Sequence, residues 1–169
     1  MSVRSSGVLM PIFSLPSPYG VGTLGRQARE FADFLARSGQ SHWQILPIGP
    51  TGYGDSPYQS FSSRAGNPYL IDLDQLEQQG LLEREEYASL PWGDDPERVD
   101  YQALYRLRLP VLRRACDRLL SRSPEAFDRF CLLHQAWLDD YALFMALKER
   151  YGGTPWLEWP EDIRLRRPR

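Results

Sequence analysis

Apolar residues along this chain fall into two regimes. Val8-Leu9-Met10-Pro11-Ile12-Phe13 and His42-Trp43-Gln44-Ile45-Leu46-Pro47-Ile48 are short, largely apolar runs, a pattern that suits strands buried on both faces of a parallel sheet. Between them the spacing turns helical over 24–38. Ala28, Phe31, Phe34 and Leu35 share a face there, and Gly39 stands where a helix would stop. Strand, amphipathic helix and strand make a βαβ unit. A Pro/Ser/Gly-rich loop over 14–25 and a second loop over 49–60 follow the two strands.

After Asp72 the pattern becomes helical. Residues 74–79 read as a short helix closed by Gly80, and 83–90 as another. Residues 101–121 form a longer helix that carries Leu104, Leu107, Val111, Leu112, Ala115 and Leu119. Pro110 should kink or divide it, because an interior proline loses a hydrogen bond and clashes with the preceding turn. Ser123-Pro124-Glu125 combines an N-cap serine, a first-turn proline and an acid near the positive helix end. Helical pattern then continues to Tyr151, with a break expected near Gln135, until Gly152-Gly153 ends it. The expected fold class is α/β. Residues 1–72 would begin a parallel barrel-like sheet, 73–150 would form a helical subdomain, and 151–169 would run back towards the sheet.

Composition narrows the function classes. The 169 residues are 42% apolar and 25% charged with a formal net charge of −2, as in ordinary globular chains. Lys148 is the only lysine and the arginines are scattered, so no basic stripe marks a nucleic-acid partner. No apolar run reaches the roughly 18 residues of a membrane span, and no secretory leader pattern opens the chain. Cys116 and Cys131 are the only cysteines and make no full Cys/His ligand set with His42 and His134, which argues against a metal site and for a reducing compartment, by default the cytoplasm.

The loop Gly49-Pro50-Thr51-Gly52-Tyr53-Gly54-Asp55-Ser56-Pro57-Tyr58-Gln59-Ser60 is the richest chemistry in the chain. Its glycines and prolines dictate a tight path. Tyr53 and Tyr58 among short polar side chains suit a sugar, whose C–H faces stack on rings while its hydroxyls need partners. An equally good reading is a rigid connection whose tyrosines only pack. The acid pairs Asp72/Asp74, Glu85/Glu86 and Asp139/Asp140 read as caps or solvated helix charges: the first pair would share a face only in an extended segment, and the adjacent helix positions of the other two do not face each other. Trp137 has helical spacing with Tyr141 and reads as core, while Trp156 and Trp159 stay open as core or sugar platforms.

Four segments together resemble the amylomaltases, the 4-α-glucanotransferases of glycoside hydrolase family 77. They are Leu15-Pro16-Ser17-Pro18-Tyr19-Gly20-Val21-Gly22, Trp43-Gln44-Ile45-Leu46-Pro47, the 49–60 loop, and Gly66-Asn67-Pro68-Tyr69-Leu70-Ile71-Asp72-Leu73. The likeness runs on through Trp137-Leu138-Asp139-Asp140-Tyr141 and Gly153-Thr154-Pro155-Trp156. It implies a (β/α)₈ barrel with helical insertions, which moves a segment of an α-1,4-glucan to the 4-hydroxyl of another sugar without a cofactor. It also implies that Tyr58 lines the donor side with Ser56 beside it, and that Asp55 in the same motif braces the loop. Tyr53 and Tyr105 would form a second, noncatalytic glucan site. Such a barrel takes about 250 residues, so this chain would hold only its first part. A retaining enzyme needs two carboxyls about 5–5.5 Å apart. In the resembling family these come from later strands, so no catalytic residue is expected here and the chain alone should be inactive. The alternative is a noncatalytic α-glucan-binding module. An unfinished sheet would also leave edges and an apolar face prone to aggregation.

Overall fold

A computed structural model describes residues 4–52 and 54–167. Contacts divide the chain into two compact units, 1–122 and 123–169. The architecture is mixed helix and strand with one small parallel sheet. In the first unit β1 (Gly7–Leu9) pairs in parallel with β2 (His42–Gln44), with Val8 opposite Trp43. The helix between them, α1 (Arg26–Arg37), completes the expected βαβ unit. Gly39, at φ 71°, ends it as expected: the Gln40 N–H reaches back to the Leu35 carbonyl at 2.9 Å.

The strands are shorter and barer than their apolar runs suggest. Pro11 cannot donate to a ladder, and Ile12–Ser14 turns into a single 3₁₀ turn. Leu9 is 56% exposed, and Ile45 and Ile48 are exposed too. Burial on both faces is therefore not found, because nothing among the described residues covers that side of the pair. Phe34 is also exposed. Successive helix residues are about 100° apart, so Ala28, Phe31 and Leu35 fill a narrow stripe while Phe34 sits well round the helix from it. The Phe31 ring meets Trp43 edge-on at 4.9 Å, and the Trp43 indole donates to the Met10 carbonyl at 2.8 Å.

The main core of this unit gathers Tyr19, Val21, Tyr69, Leu73, Leu82, Tyr87, Trp92, Leu104 and Val111. Two further helices contribute to it. The short α2 (Leu73–Gln78) is capped by Asp72, whose side chain accepts from the Gln75 N–H at 2.9 Å. Asp72 is thus a cap, as its sequence context predicts. The long α3 (Tyr101–Arg122) continues past Pro110 without division. The missing N–H costs one bond, while Leu104, Val111 and Ala115, all buried, bind both halves to the same core. Tertiary burial outweighs the local penalty.

Glu86 illustrates the same control. The expected helix over 83–90 is only a 3₁₀ turn, Arg84–Glu86, closed by a capping box in which the Glu86 carboxylate accepts from the Glu83 N–H at 2.7 Å. That carboxylate also takes a two-pronged bond from Arg118 on α3, at 2.5 and 2.9 Å. Chiefly these Arg118 bonds, then the Glu83 N–H, hold its pKa down at about 2, against 4.5 ordinarily. A depressed carboxylate adds stability above its unfolded pKa and loses it as pH falls through the folded value. We expect about 2 kcal/mol, allowing for the partial exposure of the pair, to disappear between pH 5 and pH 2 in the native chain but not in Glu86→Gln. Urea midpoints across that pH window read the difference.

The second unit holds α4 (Pro124–Arg150), a 3₁₀ turn at Trp156–Glu158 and α5 (Glu161–Arg164). Ser123 occupies the N-cap position with Pro124 next, but its side chain makes no capping bond; its carbonyl accepts from Ala126 and Phe127 instead. No break occurs near Gln135, where neither glycine nor proline interrupts the run from Glu125 to Arg150. Trp137 is half-buried between His134 and Tyr141 rather than core. The buried indole is Trp159, which packs on Phe144 and Tyr151 at 5.5 and 5.7 Å and donates to the Thr154 carbonyl. Trp156 is 46% exposed.

Candidate functional site: the loop after the second strand

The loop that follows β2 is closed at its base. Thr51 and Ser60 form an antiparallel bridge, and the Asn67 N–H donates to the Ile48 carbonyl at 2.8 Å. Glycine is needed at the base because a Cβ on Gly49 would stand 2.5 Å from the Ser60 hydroxyl. Inside, two turns shape the tip: the Asp55 N–H donates to the Gly52 carbonyl at 3.2 Å and the Gln59 N–H to the Ser56 carbonyl at 3.1 Å. Gly54 and Asp55 are both left-handed, at φ 83° and 53°. Glycine adopts that region freely and aspartate is among the few side chains that tolerate it.

This path sets out the polar side chains. Tyr58 is 72% exposed, the most open aromatic ring in the loop's described part. The Ser56 hydroxyl accepts from the Tyr58 N–H at 3.3 Å, so the two residues are fixed together. Tyr105, on α3, reaches the loop across 50 residues of sequence: its hydroxyl donates to Asp55 Oδ1 at 2.6 Å and lies 3.5 Å from the Gly52 carbonyl. Tyr53, expected to pair with Tyr105, lies outside the described residues.

A small cavity beneath the loop is lined by Thr51, Asp55, Pro57, Asn67, Tyr69 and Tyr101, with apolar Phe13, Val21 and Leu70 behind. Burial, and then the nearby Asp55 carboxylate, push the Tyr101 and Tyr105 hydroxyls up from the ordinary phenol range. Tyr69 rises for the same first reason, with Tyr105 and Asp55 adding to it. These phenols stay protonated donors at any physiological pH. Tyr69 and Tyr101 escape a reading of loop chemistry alone; the signal was Asn67-Pro68-Tyr69, where Asn67 caps a 3₁₀ turn that drives Tyr69 inward.

Asp74 and Asp140, from two of the acid pairs, are engaged elsewhere. Asp74 accepts from the hydroxyls of Tyr19 and Tyr87 at 2.7 and 2.9 Å, and Asp140 pairs with Arg166 at 2.9 Å. His42 meets Ser5 at 3.0 Å in an exposed contact, and His134 packs against Phe130. Cys116 and Cys131 are free thiols. Among the described residues no group of three His, Cys, Asp or Glu side chains could hold a metal ion, and no helix is long and apolar enough to cross a membrane.

Comparison with known proteins places these features in a family. A family model described as 4-alpha-glucanotransferase matches residues 10–169. The 4-alpha-glucanotransferase of Thermus thermophilus is 50% identical over 167 residues, covering 96% of this chain and 32% of that protein. Its counterpart in Clostridium butyricum is 49% identical over 158 residues, covering 94% and 32%. Among solved structures, an amylomaltase from Streptococcus agalactiae in complex with acarbose superposes with a TM-score of 0.92 at 45% identity, covering 98% of this chain and 34% of that one. The chain thus spans about a third of the length of the relatives it matches.

Proposed function

This chain belongs to the 4-α-glucanotransferase family, and on that premise we propose that its activity is transfer of a segment of an α-1,4-glucan to the 4-hydroxyl of an acceptor glucose or maltooligosaccharide. Residues 1–72 are the start of a (β/α)₈ barrel, 73–150 its helical insertion and 151–169 the return towards it. The parallel β1–β2 pair with α1 between supports that reading, as does the position of the 49–60 loop beyond the carboxyl end of β2, where barrel enzymes place their sites. The observation that carries it is the open Tyr58 ring with Ser56 beside it on a loop closed by hydrogen bonds. Tyr58 and Ser56 meet the donor glucan, and Asp55 belongs to the same binding loop as its brace. The complex of the Streptococcus agalactiae amylomaltase with acarbose supports an α-glucan-like ligand.

The chain's own part in this activity is binding. A retaining transfer needs a carboxylate nucleophile and an acid about 5–5.5 Å apart across the bond, and the acids described above serve as caps and ion-pair partners. Two free cysteines fit a reducing, cytoplasmic setting. The half-exposed ring of Tyr105 at the loop edge favours a second reading, a noncatalytic glucan surface shared with Tyr53.

One set of measurements tests both. The 169-residue chain should bind maltoheptaose weakly and saturably by calorimetry, and release no glucose from maltotriose. Tyr58→Ala should weaken binding about tenfold, as expected for loss of a stacking face. A loss confined to Tyr53→Ala would assign the binding to the second surface. Absence of binding by the folded chain would sink both readings, and steady glucose release would overturn the claim that no catalytic residue lies here.

A further inference from the structure

Tyr105 offers a glucan only part of what a tyrosine can. Its hydroxyl proton is committed to Asp55 at 2.6 Å, and one side of its ring is taken by Tyr69, edge-on at 5.9 Å. Among the described residues of the tip, 52–59, the hydrogen bonds that leave the loop are those received from Tyr105, at Asp55 and at the Gly52 carbonyl. The loop base is closed by the Thr51–Ser60 bridge, but the bridge cannot dictate the tip. Two successive left-handed residues, Gly54 and Asp55, occupy the tip. A non-glycine residue in that region persists when surrounding bonds over-determine it.

We propose that the Asp55–Tyr105 hydrogen bond is a latch that holds residues 54–60 in the shape presenting Tyr58 and Ser56, which makes Asp55 and Tyr105 positioning residues for glucan. The proposal rests on the reading that Tyr58 and Ser56 meet the sugar. Its geometry is built for a permanent bond. Asp55 faces Tyr69 and Tyr101 as well as Tyr105, and the raised phenol pKa values keep the donor protonated. Charge-assisted O–H to carboxylate bonds are short and about twice as strong as neutral ones. Tyr105 is itself fixed, since the next turn of α3 carries the fully buried Arg108. Tyr58 stands only three positions after Asp55, so a released Asp55 frees Tyr58 as well.

Tyr105→Phe separates the latch from the stacking face, because it keeps the ring and removes only the hydroxyl. Amide exchange of residues 54–60 in the ligand-free chain reads the latch directly, and maltoheptaose titration reads its consequence. Exchange should quicken roughly tenfold in Tyr105→Phe and in Asp55→Ala, with glucan affinity roughly fivefold weaker in each. The double variant should be no worse than either single one, since both remove the same bond. Asp55→Asn keeps an acceptor and tolerates the left-handed backbone, so it should restore most of both properties. Unchanged exchange in Tyr105→Phe would overturn the latch whether or not glucan binds. Quicker exchange with unchanged affinity would overturn the positioning role, and so would additive losses in the double variant. Failure of the unaltered chain to bind maltoheptaose ends the glucan reading of the loop and the positioning role with it, while the exchange arm still decides whether the hydrogen bond holds the loop.

Discussion

Arg108→Leu should destabilise residues 1–122 by about 3–5 kcal/mol, more than any single change at the loop. Arg108 has no solvent exposure. Its guanidinium donates to the Ile71 carbonyl at 2.6 Å and the Tyr19 carbonyl at 3.2 Å, and it lies over the Trp92 ring at 5.7 Å. One residue thus ties α3 to the segment before α2 and to the loop after β1. Burial pulls its pKa down to about 10, against 12.5 ordinarily, and the Asp72 carboxylate opposes that fall. Leucine would add apolar burial, and a whole buried ion pair can sometimes be exchanged for apolar residues at no loss. Here the acceptors are backbone carbonyls and cannot be exchanged with their partner. Each is left without a donor at about 1–3 kcal/mol, and leucine leaves part of the guanidinium volume empty. Arg108→Lys should recover little, because a single ammonium does not span both carbonyls. Urea unfolding followed by tryptophan fluorescence measures the loss; a leucine variant as stable as the native chain would refute this account.

Asp72→Ala should cost about 3 kcal/mol by a different route. One carboxylate oxygen caps α2 through the Gln75 N–H, and the other accepts from the buried Thr23 hydroxyl at 2.6 Å. A lost cap costs about 1 kcal/mol and a charge-assisted bond about 1.5–3 kcal/mol. The substitution also removes the negative charge that favours a charged Arg108. Gly25 is shaped around this carboxylate, since a Cβ there would lie 1.9 Å from Asp72 Oδ2. Asp72→Asn retains the capping oxygen and should lose only about half as much. Combined with Arg108→Leu, the effects should fall short of their sum, because the two side chains share an electrostatic term. Full additivity in the same urea experiment would show that they act separately.

Much of the local structure was legible in the residues alone. Helix α1 stops at Gly39, α2 begins under Asp72 and ends at Gly80, and α4 starts after Ser123 and stops at Gly152-Gly153. Caps, glycines and first-turn prolines act over three or four residues, so short-range sequence carries them. The βαβ order followed from periodicity, and the family from long motifs rich in glycine, proline and aromatic residues. Departures arose wherever distant burial outweighed local preference. Pro110 does not divide α3, because buried residues on both sides of it share one core. Phe34 was assigned to the core face but points away from it.

Arg108 shows the limit most clearly. Its spacing with Leu104 and Val111 puts it on the buried face, yet nothing local says that an arginine there would find two carbonyls 37 and 89 residues away. The candidate site divides in the same way. Sequence by itself determined that 49–60 is a constrained loop offering Tyr58, Ser56 and Asp55, since glycine and proline positions restrict the backbone whatever surrounds them. Only the tertiary structure decided that the Asp55 carboxylate belongs to Tyr105 on α3. A hydrogen bond across 50 residues depends on where α3 packs, and packing is a property of the whole core rather than of any segment.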